Sequence, residues 1–102
     1  MIKFVEVINT SVFDELERRS APHFQLGEVW INPDSVVKVE SNPDYRRLLE
    51  RGLLPEGLQP THEFSRITLQ EGNTSSCCIV VGDASNVASK LMWAPKRQLL
   101  KG

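Results

Sequence analysis

The fold is decided by residues 64–92, which read FSRITLQEGNTSSCCIVVGDASNVASKLM. From Phe64 to Gln70 the residues alternate between two sides, a period of two that predicts a half-buried strand. Glu71-Gly72-Asn73 predicts a turn, because Gly and Asn tolerate positive φ, and Thr74-Ser75-Ser76 lengthens it as a loop. The run from Cys77 to Val81 is apolar without alternation, which predicts a central strand covered on both faces.

A short helix is predicted to follow this strand. Gly82 and Asp83 end the strand, and Asp83 or Ser85 can cap the helix by accepting a hydrogen bond from one of its free N–H groups. Four apolar residues then fall on one helical stripe: Ala84, Val87, Ala88 and Leu91. We therefore expect the helix to pack back on the sheet.

The first part of the chain predicts three more strands and a helix. The strands are expected over Ile2–Ile8, Phe24–Ile31 and Val36–Glu40. Residues 12–19, VFDELERR, place apolar Val12, Phe13 and Leu16 among charged side chains, with acids early and arginines late. The helix dipole favours that order of charges, so about two helical turns are predicted there.

A second tripeptide Asn-Pro-Asp, at residues 42–44, begins a stronger helix signal than the first, at residues 32–34. Asn42 is expected to cap this helix, Pro43 to occupy its first turn and Gly52 to end it. The side chains expected on its buried face are Tyr45, Leu48, Leu49 and Leu53, which leaves Arg46, Arg47 and Arg51 outside as a small basic ridge.

These elements predict one small α+β domain over residues 1–92, with a mainly antiparallel sheet of about five strands and two or three short helices. Residues 93–102 are expected to form a basic C-terminal tail that Trp93 partly orders. The chain of 102 residues is 40% hydrophobic and 25% charged, which argues against global disorder. Its charge is uneven: residues 1–83 carry 8 basic and 13 acidic side chains, whereas residues 84–102 carry 4 basic and no acidic ones.

Recognisable catalytic and metal-binding patterns are missing from the sequence. His62-Glu63 begins like a zinc-protease motif, but the position of the second histidine holds Arg66, and His23 is the only other imidazole. No glycine-rich phosphate loop or Gly-x-Ser-x-Gly is present, and Cys77 and Cys78 are expected to be buried small apolar residues pointing to opposite faces of a strand. We therefore predict a protein without enzymatic activity, metal or cofactor. No apolar run approaches the length of a membrane span, so a cytoplasmic location is expected.

One family resemblance rests on two segments. The run Val29-Trp30-Ile31-Asn32-Pro33-Asp34-Ser35-Val36-Val37-Lys38-Val39 is followed later by Ile67-Thr68-Leu69, Gly72 and Ile79-Val80-Val81 with the small helix. Together they resemble the small β-rich proteins of the FlbD type, which are linked to flagellar and swarming motility. The resemblance covers about half of the chain and implies an antiparallel architecture. Residues 41–63 have no counterpart in the family pattern.

The most favoured function is that of a small interaction or assembly protein that associates with itself, since edge strands in a chain this short need cover. The residues expected as exposed apolar anchors are Trp30, Trp93, Leu99 and Leu100. The alternative is a nucleic-acid-associated regulator, whose contacts would be Arg46, Arg47, Arg51, Lys96, Arg97 and Lys101. Binding of a small ligand in a pocket between helix and sheet is a third hypothesis.

Overall fold

The computed structural model of the chain describes residues 1–10, 12–14, 19–21, 23–59 and 61–92; for 12–14 and 19–21 it describes the backbone only. The strands are β1 (Ile2–Asn9), β2 (Val12–Asp14), β3 (Arg19–Ala21), β4 (Phe24–Ile31), β5 (Val36–Ser41), β6 (Phe64–Glu71) and β7 (Thr74–Val81). The α-helices are α1 (Pro43–Glu50) and α2 (Ala84–Met92), and Pro33–Ser35 forms one turn of 3-10 helix.

Five of the strands form one antiparallel sheet in the order β4-β1-β7-β6-β5. Within the described ranges, the two short strands β2 and β3 pair with each other and form a separate two-stranded sheet. With two helices and the 3-10 turn, this is a small α+β fold, and the predicted fold class is confirmed.

The core lies between α2 and one face of the sheet. Val87 and Leu91 of α2 are buried against the sheet residues Phe4, Ile67 and Val80, which come from three different strands. These two helix residues belong to the predicted apolar stripe, so the expectation that α2 packs back on the sheet is confirmed.

The link from β7 to α2 needs a special backbone conformation. Gly82 has a φ of 135°, and its N–H donates to the carbonyl oxygen of Glu63 at 2.7 Å. A Cβ at this position would lie 3.1 Å from Cγ2 of Val87, so glycine also permits close approach of the helix. Asp83 then caps α2, as predicted, because its Oδ1 accepts a hydrogen bond from the N–H of Asn86 at 2.8 Å.

Helix α1 begins and ends where the sequence predicts. The Asn42 side chain accepts hydrogen bonds from the N–H groups of Asp44 and Tyr45, Pro43 is the first helical residue, and Gly52 follows the helix with a φ of 73°. The Tyr45 ring lies 5.8 Å from the Phe24 ring and 6.2 Å from the Phe64 ring. Helix α1 thereby packs on the sheet face opposite to α2.

The predicted buried face of α1 is only partly right. Tyr45, Leu48 and Leu49 are half-buried, but Leu53 is 45% exposed. Leu53 lies beyond Gly52, whose positive φ turns the chain out of the helix, so Leu53 does not continue the apolar stripe.

The helix predicted over residues 12–19 is wrong. Residues 12–14 and 19–21 are strands β2 and β3, with Val12 opposite Ala21 and Asp14 opposite Arg19; residues 15–18 lie outside the described part of the chain. The N–H of Thr10 donates to the carbonyl oxygen of His23 at 2.7 Å, which extends the β1–β4 pairing by one residue pair toward β2 and β3. Local helix propensity is a weak preference that tertiary context can outweigh, so the pairing of β2 with β3 overrides the charge pattern.

The loop predicted at Thr74-Ser75-Ser76 is also wrong, because β7 begins at Thr74. Gly72, at a φ of 60°, and Asn73 alone make the turn, which leaves Glu71 directly opposite Thr74. A two-residue turn keeps the strands in register, so the hydroxyl-bearing residues continue the ladder.

We predict that Asn42→Ala lowers the free energy of unfolding by about 1–2 kcal/mol, because the side chain is a buried helix cap. Chemical denaturation followed by circular dichroism measures the loss. Asn32→Ala is the matched control, since Asn32 occupies the same tripeptide but is exposed and accepts one hydrogen bond, from the N–H of Asp34, at a single 3-10 turn. An equal or larger loss in Asn32→Ala would contradict this account.

Candidate functional site

The two edges of the sheet differ in how well they are protected. Strand β5 has six residues, carries Lys38 and Glu40, and is interrupted by a shift in pairing between Val36 and Lys38. Irregular pairing and charged side chains are devices that discourage pairing with another chain. Strand β4 has eight residues in regular register with β1, and its only charged residue is Glu28.

Backbone hydrogen bonding shows which groups of β4 face outward. The bond from the Thr10 N–H to the His23 carbonyl oxygen makes residues 10 and 23 a hydrogen-bonded pair. Such pairs recur every second residue in an antiparallel ladder, so residues 25, 27, 29 and 31 point their N–H and C=O groups toward β1. The groups of Phe24, Leu26, Glu28 and Trp30 therefore point away from the sheet, where the described part of the chain supplies no further strand.

Apolar side chains lie exposed beside this edge. Trp30 is 60% exposed and Val5 is 42% exposed, and their pairing partners place both on the face opposite to the α2 core. Lys3 lies between them, with its Nζ 2.9 Å from a Glu28 carboxylate oxygen and 6.0 Å from the centroid of the Trp30 ring. Trp30 is thus exposed, as expected of an apolar anchor. We call Phe24, Leu26, Glu28 and Trp30 the β4 edge.

The other predicted anchors and part of the predicted basic surface lie outside the described residues. These are Trp93, Leu99 and Leu100, and Lys96, Arg97 and Lys101. The structure therefore does not bring them together with Trp30 or with α1.

Two arginines of α1 are engaged in local contacts. An Nη of Arg46 donates to the carbonyl oxygen of His62 at 3.0 Å, and its Nε lies 4.0 Å from a carboxylate oxygen of Glu50. Arg47 pairs with Asp44, one helical turn before it, and Arg51 is exposed at the C-terminal cap. The expected basic ridge is therefore partly neutralised by acidic neighbours on its own helix.

A small cavity lies where the starts of both helices meet the end of the sheet. Its volume is about 160 Å³, and Asn42, Arg46, Phe64 and Asp83 contribute to its lining. Pockets that hold drug-sized ligands measure roughly 300–1,000 Å³, so this one is too small for such a ligand. Its position between helix and sheet matches the third hypothesis, but its size gives that hypothesis little support.

The prediction that both cysteines are buried is wrong. Cys77 is exposed and Cys78 is half-buried, because α2 covers one face of β7 while the opposite face is open at Cys77. Burial, with smaller contributions from Glu6 and Cys77, raises the pKa of the Cys78 thiol to about 11. The two thiols are neighbours in sequence but differ in their access to solvent.

Tyr45 is the other described group whose pKa departs from its ordinary value. Burial raises the pKa of its hydroxyl, and nearby Arg66 partly offsets this rise. The ring packs between Phe24 and Phe64, so the perturbation follows from packing.

The described residues offer neither a metal-ligand cluster nor a membrane-spanning helix. Within the described ranges, no three His, Cys, Asp or Glu side chains group closely enough to hold a metal ion. Over the same ranges, neither helix has the length and apolar character that crossing a membrane requires.

Comparison of the chain with protein-family models, curated proteins and solved structures finds no significant match. The resemblance to FlbD-type proteins therefore stays a prediction.

The sequence predicts the exposure of Trp30 but does not indicate the rest of the β4 edge. The strand Phe24–Ile31 was predicted with its observed bounds, yet nothing in its residues shows that it lies at the side of the sheet. The absence of proline and the single charge on the strand were the available signals, and they become informative only when the strand order is known.

We predict that a thiol-alkylating reagent at pH 8 modifies Cys77 in the folded protein much faster than Cys78. Cys78 is half-buried, and its raised pKa keeps it protonated at that pH, whereas the thiolate is the reactive form. Peptide mass mapping over a time course measures both rates. Denaturant is the control, because unfolding should bring the rates together; equal rates in the folded protein would contradict the structure.

Proposed function

We propose that this chain is a small non-enzymatic interaction protein that associates with itself through the β4 edge. The observation that carries the proposal is the row of outward backbone groups along an eight-residue strand, beside an exposed Trp30. An open edge of this kind is a template for pairing with another strand.

Both the backbone and the side chains of the β4 edge would gain free energy from pairing with another strand. Each backbone hydrogen bond that replaces a bond to water contributes a net of about 0.5–1.5 kcal/mol, so a ladder of several bonds would stabilise the association. Burial of the exposed surface of Trp30 adds the hydrophobic contribution that a ladder alone lacks. A second copy of the chain supplies both an unpaired strand edge and an exposed Trp30, since two-fold association uses the same surface on each partner.

The nucleic-acid alternative has less support among the described residues. Arg46 and Arg47 lie beside Glu50 and Asp44, and these carboxylates would have to be separated from them or would repel a phosphate. A cytoplasmic location fits the proposal, because the exposed thiol of Cys77 stays reduced in that compartment.

We predict that Glu28→Pro abolishes association without unfolding the chain. The N–H of Glu28 points outward, so proline removes a donor from the edge but none from the β1–β4 ladder, and the preceding residue, Gly27, accommodates a following proline. Light scattering over a concentration series should show the wild-type mass rising above 11.5 kDa, while that of Glu28→Pro stays there.

Glu28→Ala is the matched control, because it removes the same carboxylate and the same ion pair with Lys3 but keeps the N–H. We expect it to associate as the wild type does, and circular dichroism of all three proteins checks the fold. A wild-type chain that stays monomeric at all concentrations would overturn self-association. If Glu28→Pro associates as strongly as the wild type, the β4 edge is not the surface through which the copies associate.

A further inference from the structure

We propose that two copies of the chain pair β4 with β4 antiparallel about a two-fold axis at Gly27, so that Phe24 of each copy lies opposite Trp30 of the other. This inference rests on the proposed self-association and specifies its geometry. The two sheets would then continue as one, with both α2 helices on the same side.

Symmetry and hydrogen bonding leave few ways to join two β4 strands. A two-fold axis perpendicular to the sheet leaves the α2 faces of both copies on the same side. Directly opposite residues of an antiparallel pair share the same hydrogen-bonding direction, so even-numbered residues of one β4 lie opposite even-numbered residues of the other. The outward groups of β4 belong to the even-numbered residues from Phe24 to Trp30. The axis can therefore pass at Leu26, Gly27 or Glu28 while most of the strand remains paired.

An axis at Glu28 sets the two Glu28 carboxylates directly opposite each other. Like charges at directly opposed positions destabilise a pair of strands. Among the described residues, Lys3 is the one cation within ion-pair distance of this carboxylate. The repulsion would therefore fall at the centre of the interface.

An axis at Leu26 shortens the ladder. Trp30 would lie opposite residue 22, which is a proline without an N–H and precedes the start of β4. Trp30, the most exposed apolar residue of the strand, would then gain no partner on the neighbouring strand.

An axis at Gly27 satisfies every outward group of the β4 edge. Phe24 pairs with Trp30 and Leu26 with Glu28, and the two glycines meet where opposed strands approach most closely. The partner's Trp30 would lie next to Phe24, whose ring already packs 5.8 Å from Tyr45 in an edge-to-face arrangement. Charge, hydrogen bonding and aromatic contact thus favour the same register.

Nuclear magnetic resonance of a mixed dimer tests the register directly. Isotope-labelled and unlabelled wild-type chains are mixed, and contacts between the copies are detected by a filtered NOE experiment. The Hα atoms of non-hydrogen-bonded pairs lie close together, so we expect an intermolecular contact from Gln25 to Val29. A contact from Gln25 to Gly27 instead would place the axis at Leu26, and one from Gln25 to Ile31 would place it at Glu28; either overturns the proposed register.

Two further outcomes distinguish failure of the β4–β4 pairing from failure of self-association itself. A dimer whose intermolecular contacts lie away from β4 overturns the pairing described here but leaves self-association standing. A chain that is monomeric at the concentration of the experiment overturns both.

The dimer dissociation constants of two variants give an independent test. Trp30→Ala should raise the dissociation constant about tenfold, because both symmetric aromatic pairs are lost. Val5→Ala is the control, because Val5 is exposed on the same face but belongs to β1 and lies away from the paired edge. We therefore expect it to change the dimer dissociation constant by less than about twofold. No effect of Trp30→Ala, or an equal effect of Val5→Ala, would overturn the aromatic pairing.

Discussion

Antiparallel hydrogen bonding points the backbone groups of successive residues to opposite sides of a strand, and the structure of this protein depends on that alternation. Inside the sheet the alternation is satisfied on both sides. The N–H of Gly82, just after β7, donates to the carbonyl oxygen of Glu63, just before β6, so the ends of these inner strands also find partners. At β4 the same rule points the backbone groups of every second residue away from the sheet, where the described part of the chain supplies no further strand. The proposed function follows from this difference between the inside of the sheet and its edge.

The two helices cover the faces of the sheet unequally. Val87 and Leu91 of α2 close one face over a buried core, whereas α1 packs on the other face chiefly through Tyr45. Trp30 and Val5 remain exposed on the α1 side, next to the unpaired edge. The open edge and the exposed apolar side chains therefore coincide, and one partner strand would cover the edge together with Trp30. The Lys3–Glu28 pair keeps this region solvated in a single copy, because it places a charged group beside the indole.

Local chemistry accounts for what the sequence predicted well, and tertiary context accounts for the errors. Asn42, Pro43 and Gly52 determine the ends of α1 by their own backbone preferences, so that helix was predictable. Residues 12–14 were assigned to a helix because acids and arginines were arranged along it, but pairing with residues 19–21 decides their conformation. Cys77 was expected to be buried because its strand is continuously apolar, although only one face of β7 is covered by α2. The β4 edge could not be predicted at all, since strand order is a property of the whole sheet.

Amide hydrogen exchange, measured residue by residue below and above the concentration of association, tests the central claim most directly. The amides of Gly27 and Val29 donate toward β1 and should be protected at both concentrations. Those of Leu26 and Glu28 should exchange rapidly in the single copy and become protected only on association. Protection of Leu26 and Glu28 that is lost on dilution, while Gly27 and Val29 stay protected, would support the account. Equal exchange of Leu26 and Glu28 at both concentrations, while the mass of the particle changes, would contradict it.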